Sequence, residues 1–323
     1  MKILISGYYG FGNLGDESLL AGLLPALKSH ELTILSAKPK ETQELHKVKS
    51  VHRYYAALFA ILNTDVLISG GGGLLQNKSS NRSLQYYLWV IKLAKLFNKK
   101  VIIFAQSIGP IDEYGKKLLV NALKDCKIAV RDKKSQDLLS SLAFNTELVA
   151  DPALLLKAPS NKREGVLIFP RAGYPDISDA IINMGKSLKA KGFKIKLAAI
   201  HASADEAEIK RIQKEIKDIE YISTKTPEDL LELISKSEYV ISARLHGAIL
   251  AAVAKTEYCG IVYDPKVAAF LDEADAAKFE LPVNYLGLIR LVLEPKPINH
   301  DSFKQLQARA QNGLEWLLKE IEA

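Results

Sequence analysis

Along most of the chain, short continuous apolar runs alternate with longer stretches of helical periodicity. The runs at 2–6, 33–35, 65–69, 101–105, 128–130 and 147–150 predict strands. A second series comes at 165–169, 194–200, 220–222, 239–242 and 258–262. Helices are predicted in most intervals, for example at 16–29, 83–97, 114–124 and 227–235, with a last one near 301–321. Strands apolar throughout and joined by crossover helices predict parallel sheets covered on both faces. The stretch 157–164 has no period and is rich in chain breakers, so it reads as a linker.

The expected fold is α/β: two Rossmann-like domains over 1–158 and 159–323, facing a central cleft in a GT-B-like arrangement. The C-terminal helix is expected to pack back on the first domain. At 323 residues the chain is long enough for two full cores. No apolar run approaches the roughly 20 residues needed to span a bilayer. The first strand runs straight into glycines, unlike a signal peptide. Cys126 and Cys259 have no metal or redox spacing, which points to a reducing cytoplasm. The net charge of +7 points to an anionic partner. The lysines are spread over predicted helix faces, so a nucleic-acid groove is not expected. A solvated face is the first reading, and peripheral contact with the anionic inner face of a membrane the second. The aromatic-rich helix at 83–97 likewise reads first as core and second as an interfacial element.

The stretch Ser242-Ala243-Arg244-Leu245-His246-Gly247 falls on a predicted strand-to-helix turn, where open α/β sheets hold ligands. Arginine offers a fixed fork for phosphate or carboxylate, and histidine moves protons near neutral pH. The plainer alternative is an arginine capping a carbonyl and a histidine filling a gap. After the first strand, Gly10, Gly12 and Gly15 match the dinucleotide fingerprint. The second strand ends without the acid that binds a ribose, and Asp16 and Glu17 would repel a pyrophosphate, so no nicotinamide or flavin is expected. Asp16 reads as a helix cap. Glu17, or Asp16 turned toward the cleft, reads as a base for a sugar hydroxyl. The run Gly70-Gly71-Gly72-Gly73 permits an anion-binding nest. Gln106-Ser107-Ile108-Gly109-Pro110, Arg131 before the cap Asp132, Arg171, His201 and Asp264-Pro265-Lys266 each come directly after a predicted strand. Arg131, Arg171, Arg244 and Lys266 together predict a strongly cationic site for a substrate with several negative charges.

In order along residues 1 to about 275, several motifs resemble the polysaccharide pyruvyltransferase family. They are Gly12-Asn13-Leu14-Gly15-Asp16-Glu17, the glycine run, Gln106-Ser107-Ile108-Gly109-Pro110, Val130-Arg131-Asp132, Asp151-Pro152-Ala153, Arg244-Leu245-His246 and Tyr263-Asp264-Pro265-Lys266. The chain is most similar to the CsaB-like branch, which adds a ketal pyruvyl group to a sugar of bacterial cell-wall polysaccharide. The residues around Gly247-Ala248 and Thr256-Glu257-Tyr258 depart from the pattern. The resemblance implies phosphoenolpyruvate as donor and a lipid- or nucleotide-diphosphate-linked saccharide as acceptor; no metal-ligand cluster is visible along the chain, so neither metal nor cofactor is expected. It implies His246 as the acid, Arg131 and Arg244 on the donor, and Glu17 or Asp16 as the base. Gly12, Asn13, Gly72, Gly73, Gln106, Arg171 and Lys266 would bind substrate. Two other readings stay open: a GT-B glycosyltransferase using a nucleotide sugar, and a non-catalytic protein that binds anionic glycan.

Overall fold

The computed structural model describes residues 1–78 and 80–323. They group into two compact units. The first comprises Met1–Phe11, Asp16–Ala153 and Gln307–Ala323. Its elements are β1 (Lys2–Ser6), α1 (Leu14–Leu23), β2 (Glu31–Ser36), α2 (Pro39–His46), β3 (Lys49–His52), α3 (Ala57–Leu62) and β4 (Val66–Ser69). They continue as α4 (Asn81–Leu96), β5 (Lys100–Gln106), α5 (Glu113–Leu123), β6 (Lys127–Val130), α6 (Lys133–Ser141) and β7 (Glu147–Leu148). The strands form one parallel sheet in the order β3-β2-β1-β4-β5-β6-β7.

The second unit comprises Gly12–Gly15 and Leu154–Leu306. It contains β8 (Val166–Phe169), α7 (Pro175–Ala190), β9 (Ile195–Ala198), α8 (Ala202–Glu215), β10 (Glu220–Ile222) and α9 (Pro227–Ser235). Then come β11 (Tyr239–Ser242), α10 (Leu245–Val253), β12 (Glu257–Ile261), α11 (Pro265–Glu273), β13 (Ala277–Phe279) and α12 (Tyr285–Leu293). Its parallel sheet runs β10-β9-β8-β11-β12-β13. The last helix, α13 (His300–Glu322), passes its residues from Gln307 onward to the first unit. There Gly313 lies against Val149, and Glu320 pairs with Lys127 at 3.2 Å.

The central strands are buried on both faces, which is why they read as unbroken apolar runs. Around Leu4, Leu67, Tyr87, Ile91 and Ile103 the first unit forms its core. The second does so around Ile168, Ile181, Leu197, Ile241 and Ile261. Helix starts are fixed by side-chain caps: Asp112 on α5, Asp132 on α6, and a Thr226–Asp229 capping box on α9.

Four local features differ from the sequence-based expectation. Strands β3 and β13 were not foreseen; both are short and only partly buried, without a continuous apolar run. The first helix is shorter than 16–29: α1 ends at Leu23 and passes into a 3-10 turn, Leu24–Leu27, where Pro25 lacks the amide to continue the α-ladder. That helix also starts earlier. Asp16 is not its cap; the Asn13 side chain accepts the Gly15 N–H at 3.2 Å, and Asp16 lies within the first turn. Likewise α10 starts at Leu245, so Arg244 is its N-cap residue and His246 lies inside the helix rather than on the turn before it.

Candidate active site

In each sheet the chain winds outward in both directions from one pair of strands. That pair is β1 and β4 in the first unit and β8 and β11 in the second. Loops leaving the carboxyl ends of such a pair part to opposite sides and open a crevice between them. The candidate residues cluster around these two points.

In the first unit the glycine run comes after β4. Gly72 has φ +100°, and a Cβ there would stand 2.6 Å from Oδ1 of Asp16, so only glycine leaves room for that carboxylate. Gly73 continues the run. The Gly72 carbonyl accepts the Ser107 N–H at 2.8 Å, and Gly72 pairs with Gln106. Gln106, expected on a loop beyond the strand, is the last residue of β5 and is fully buried. Its amide nitrogen donates to Ser69 Oγ at 2.8 Å, and its carbonyl accepts the Arg131 N–H at 3.1 Å. Gln106 therefore ties together the ends of β4, β5 and β6, while its side-chain Oε1 is buried with no hydrogen-bond partner. Arg131 sends a guanidinium nitrogen to the buried carboxylate of Asp151, whose other oxygen accepts the Ala153 N–H at 3.0 Å.

The adjacent acids differ sharply. Glu17 accepts the Gly10 N–H at 2.9 Å on one oxygen and meets His46 Nε2 at 2.7 Å on the other, with both side chains 4% exposed. Both oxygens of Glu17 are thus engaged in holding the β1 loop to the end of α2. Asp16 instead faces the glycine run.

Sequence reasoning missed Arg53 beside these groups. Its guanidinium lies 3.8 Å above the Tyr86 ring and 5.0 Å from that of Phe11, and Phe11 stacks on Tyr8 at 4.2 Å. Burial raises the pKa of the Tyr8 phenol; Asp16 adds to the rise and Arg53 opposes it. A lone arginine between aromatics had no pattern to mark it.

In the second unit, Arg171 comes after β8 and Arg244 after β11, on the two sides of the crevice. Between them lies Asp205, fully buried in the first turn of α8. Arg244 binds it with both arms of its fork: Nε donates to Oδ2 at 3.0 Å, and a terminal nitrogen donates to Oδ1. The Ala172 N–H reaches the same carboxylate at 3.3 Å, and Arg171 approaches it at 3.9 Å. The Arg171 guanidinium also lies 5.5 Å from the Tyr263 ring centroid. Burial raises the pKa of the Tyr263 phenol, while Arg244 and Arg171 pull it down.

Asp205 too was missed. Its signal was its place at 205, 209 and 212, where an acid occupies the apolar stripe of an amphipathic helix with Ile209 and Ile212.

At the start of α10, Ser242 Oγ donates to the Arg244 carbonyl at 2.7 Å and accepts the Arg244 N–H at 3.1 Å, which sets the turn. Segment Gly12–Gly15 belongs to this unit: Leu14 N–H donates to the Ile200 carbonyl at 2.8 Å, and Asn13 pairs with His201. A Cβ on Gly15 would come within 2.7 Å of Cγ of His246, so that glycine is required by the imidazole beside it. Lys266 lies in the first turn of α11, its N–H on Asp264 Oδ1 at 3.1 Å.

The strongly cationic site expected from four basic residues is moderated: Arg131 and Arg244 each carry a buried carboxylate partner. Arg171 and Arg244 share one carboxylate, which leaves the second unit's crevice with one net positive charge from this group. Among the described residues, no three His, Cys, Asp or Glu side chains converge as metal ligands.

A family model described as polysaccharide pyruvyl transferase matches residues 13–265. No curated protein matches the chain. Among solved structures, HepE of Anabaena in complex with UDP and glucose is similar at TM-score 0.67 and 10% identity, over 100% of this chain and 99% of that one. A putative UDP-N-acetylglucosamine 2-epimerase of Listeria monocytogenes reaches TM-score 0.67 at 11% identity, over 99% and 95%. A glycosyltransferase of Rickettsia africae reaches 0.59 at 15% identity, over 97% and 93%. At such identities the likeness is one of fold: two parallel-sheet α/β domains of the GT-B type.

Asp205→Asn should expose how much this arrangement depends on one charge. Removing one partner of a buried pair leaves the other uncompensated, so a loss of about 3 kcal/mol is expected in urea unfolding. A loss below about 1 kcal/mol would mean that Arg244 does not need its counter-ion.

Proposed function

This chain belongs to the polysaccharide pyruvyl transferase family, and on that premise we propose that it joins the pyruvyl group of phosphoenolpyruvate to two hydroxyls of one saccharide unit. The product is a cyclic ketal, and phosphate is released. The observation that carries this reading is the start of α10. There a histidine stands two residues from an arginine whose fork is held by a buried carboxylate, with a second arginine on the same carboxylate.

The work divides among named residues. Arg244 and Arg171 bind the donor's carboxylate and phosphate, with Asp205 orienting both forks. Arg131, held by Asp151, adds a further cation for the donor, and Lys266 one for the phosphate or the acceptor's diphosphate. His246 gives a proton to the methylene carbon, which makes the neighbouring carbon electrophilic. Asp16 takes the proton of the attacking hydroxyl; Glu17, engaged on both oxygens, holds the loop that carries Asp16. After the first addition the carbon–phosphate oxygen bond breaks and the second hydroxyl closes the ring. One hydroxyl proton ends in the new methyl group and the other on phosphate, so the reaction balances without a redox partner. The donor is a substrate, and no cofactor enters this scheme. In the CsaB-like reading, the acceptor is a cell-wall polysaccharide precursor on a lipid or nucleotide diphosphate, modified in the cytoplasm.

A second reading has its own support. The GT-B fold is shared with structures that hold UDP and glucose or UDP-glucose, so transfer from a nucleotide sugar competes with the proposal. Incubation with phosphoenolpyruvate and a panel of diphosphate-linked saccharides separates them. We expect one phosphate released for each pyruvyl group attached, and no stable product when either acceptor hydroxyl is missing. Nucleotide release with a sugar transferred would establish the second reading.

Two variants test the roles. His246→Gln keeps size and hydrogen bonding but cannot act as a cationic acid. Its turnover should fall by roughly a hundredfold or more with donor binding largely kept. Near-normal turnover would remove His246 from the chemistry. Asp16→Asn should lower the turnover of the folded protein to a similar degree. Glu17→Gln should instead lose stability first; equal turnover losses without destabilisation would return Glu17 to candidacy as the base.

A further inference from the structure

One face of the first unit is unlike the rest of the chain. From 45 to 111 there are seven lysines and two arginines against a single acid, Asp65. The three most exposed large apolar side chains come from the same stretch. Tyr55 is 92% exposed, Phe59 on α3 73%, and Leu96 at the end of α4 72%. Leu58 and Leu62 on α3 and Trp89 on α4 are also exposed.

These groups are contiguous. Tyr54 meets Tyr86 edge-on at 4.9 Å, and Tyr86 lies 6.3 Å from Trp89, so rings run without a break from the turn before α3 onto α4. At the other end of α3, the Lys99 ammonium donates to the Leu62 carbonyl at 3.1 Å, which brings the α4–β5 corner against it. Along α4, Arg82, Gln85, Trp89, Lys92 and Leu96 recur every three or four residues and are all exposed. The opposite face, with Leu84, Leu88 and Ile91, is core. Core packing thus accounts for half of this helix and leaves a basic, aromatic stripe on the other half.

We propose that this face docks the first unit on an anionic membrane surface. Tyr55, Phe59 and Trp89 would enter the headgroup layer, and Lys92 with its neighbours would face lipid phosphates. Aromatic rings with a polar edge favour that layer, and basic residues close to it are attracted by anionic lipid. Charge selects this occupant over a second copy of the chain. In a two-fold pairing the same basic patch, nine cations to one acid along its sequence, would meet itself, and lysine would face lysine. No helix among the described residues is long and apolar enough to cross a membrane, so the contact is peripheral. The docking does not depend on the pyruvyl transfer. It would, however, bring a lipid-carried acceptor near Arg53 and Phe11, where the same aromatic run ends beside the β1 loop.

The test is sedimentation of the full chain with vesicles of phosphatidylcholine alone or mixed with an equal part of phosphatidylglycerol. We expect binding to the anionic vesicles at least about tenfold stronger than to the neutral ones, and weakened by high salt. Phe59→Glu and Trp89→Glu, both at exposed positions, should each reduce it about tenfold, and Lys92→Glu should reduce it without any change in apolar area. In a Trp316→Phe background, the emission of Trp89 should shift to the blue on binding. No binding to anionic vesicles would overturn the proposal, as would binding unaffected by these changes. Self-association in sedimentation velocity, lost in Phe59→Glu and without vesicle binding, would overturn it in favour of a second copy.

Discussion

Every strand in both sheets runs parallel to its neighbours, and the placement of the site residues depends on this constraint. A parallel strand cannot be reached by a tight turn, so each connection crosses a face of the sheet, mostly as a helix, and covers it. All strands then end on one edge of their sheet. The residues that leave those ends, from Asp16 and Gly72 to Arg171 and Arg244, are gathered by topology before any specific contact forms. Because each winding order reverses once, each sheet has a single place where two such ends diverge. In folds of this kind ligands are held at such places, because backbone amides and helix N-termini converge at that edge.

Gathering basic residues at that edge creates its own problem. A guanidinium removed from water is costly unless it is paired. Of the three arginines singled out from the sequence, the two most buried have the same solution. Asp151 holds Arg131, and Asp205 holds Arg244, in each case with a backbone N–H on the same carboxylate. The pairing lowers the net charge offered to an anionic ligand, but it fixes the direction of the remaining N–H donors. An oriented fork discriminates a carboxylate or phosphate better than a mobile charge does.

The central strands were legible because burial on both faces forces an unbroken apolar run, as in Val66–Ser69 and Tyr239–Ser242. The edge strands β3 and β13 were not, since Lys49-Ser50-Val51-His52 carries the mixed pattern of a half-covered surface. The linear order of the site loops was also legible, because each sits directly after a strand. Their partners were not. Asp205 and Arg244 are 39 residues apart, and Glu17 and His46 are 29 apart. No local pattern encodes such pairs; only the register of the folded sheets brings them together. The helix starts were misplaced for a related reason. Asn13 and Ser242 each bond to backbone two residues on, and that local geometry moved the first turns of α1 and α10.

The neighbouring acids Asp16 and Glu17 show how one helix turn places adjacent side chains in different surroundings. Successive residues on a helix point about 100° apart, so two adjacent carboxylates cannot share an environment. Glu17 turns toward the Gly10 amide and His46, where both oxygens find donors and water is excluded. Asp16 turns toward Gly72, where a missing side chain makes room for its carboxylate. Both oxygens of Glu17 are committed to the β1 loop and to the end of α2. The same bonds fix the backbone around Asp16. In the proposed scheme, Glu17 thus positions the helix turn that carries Asp16, the residue to which proton transfer is assigned.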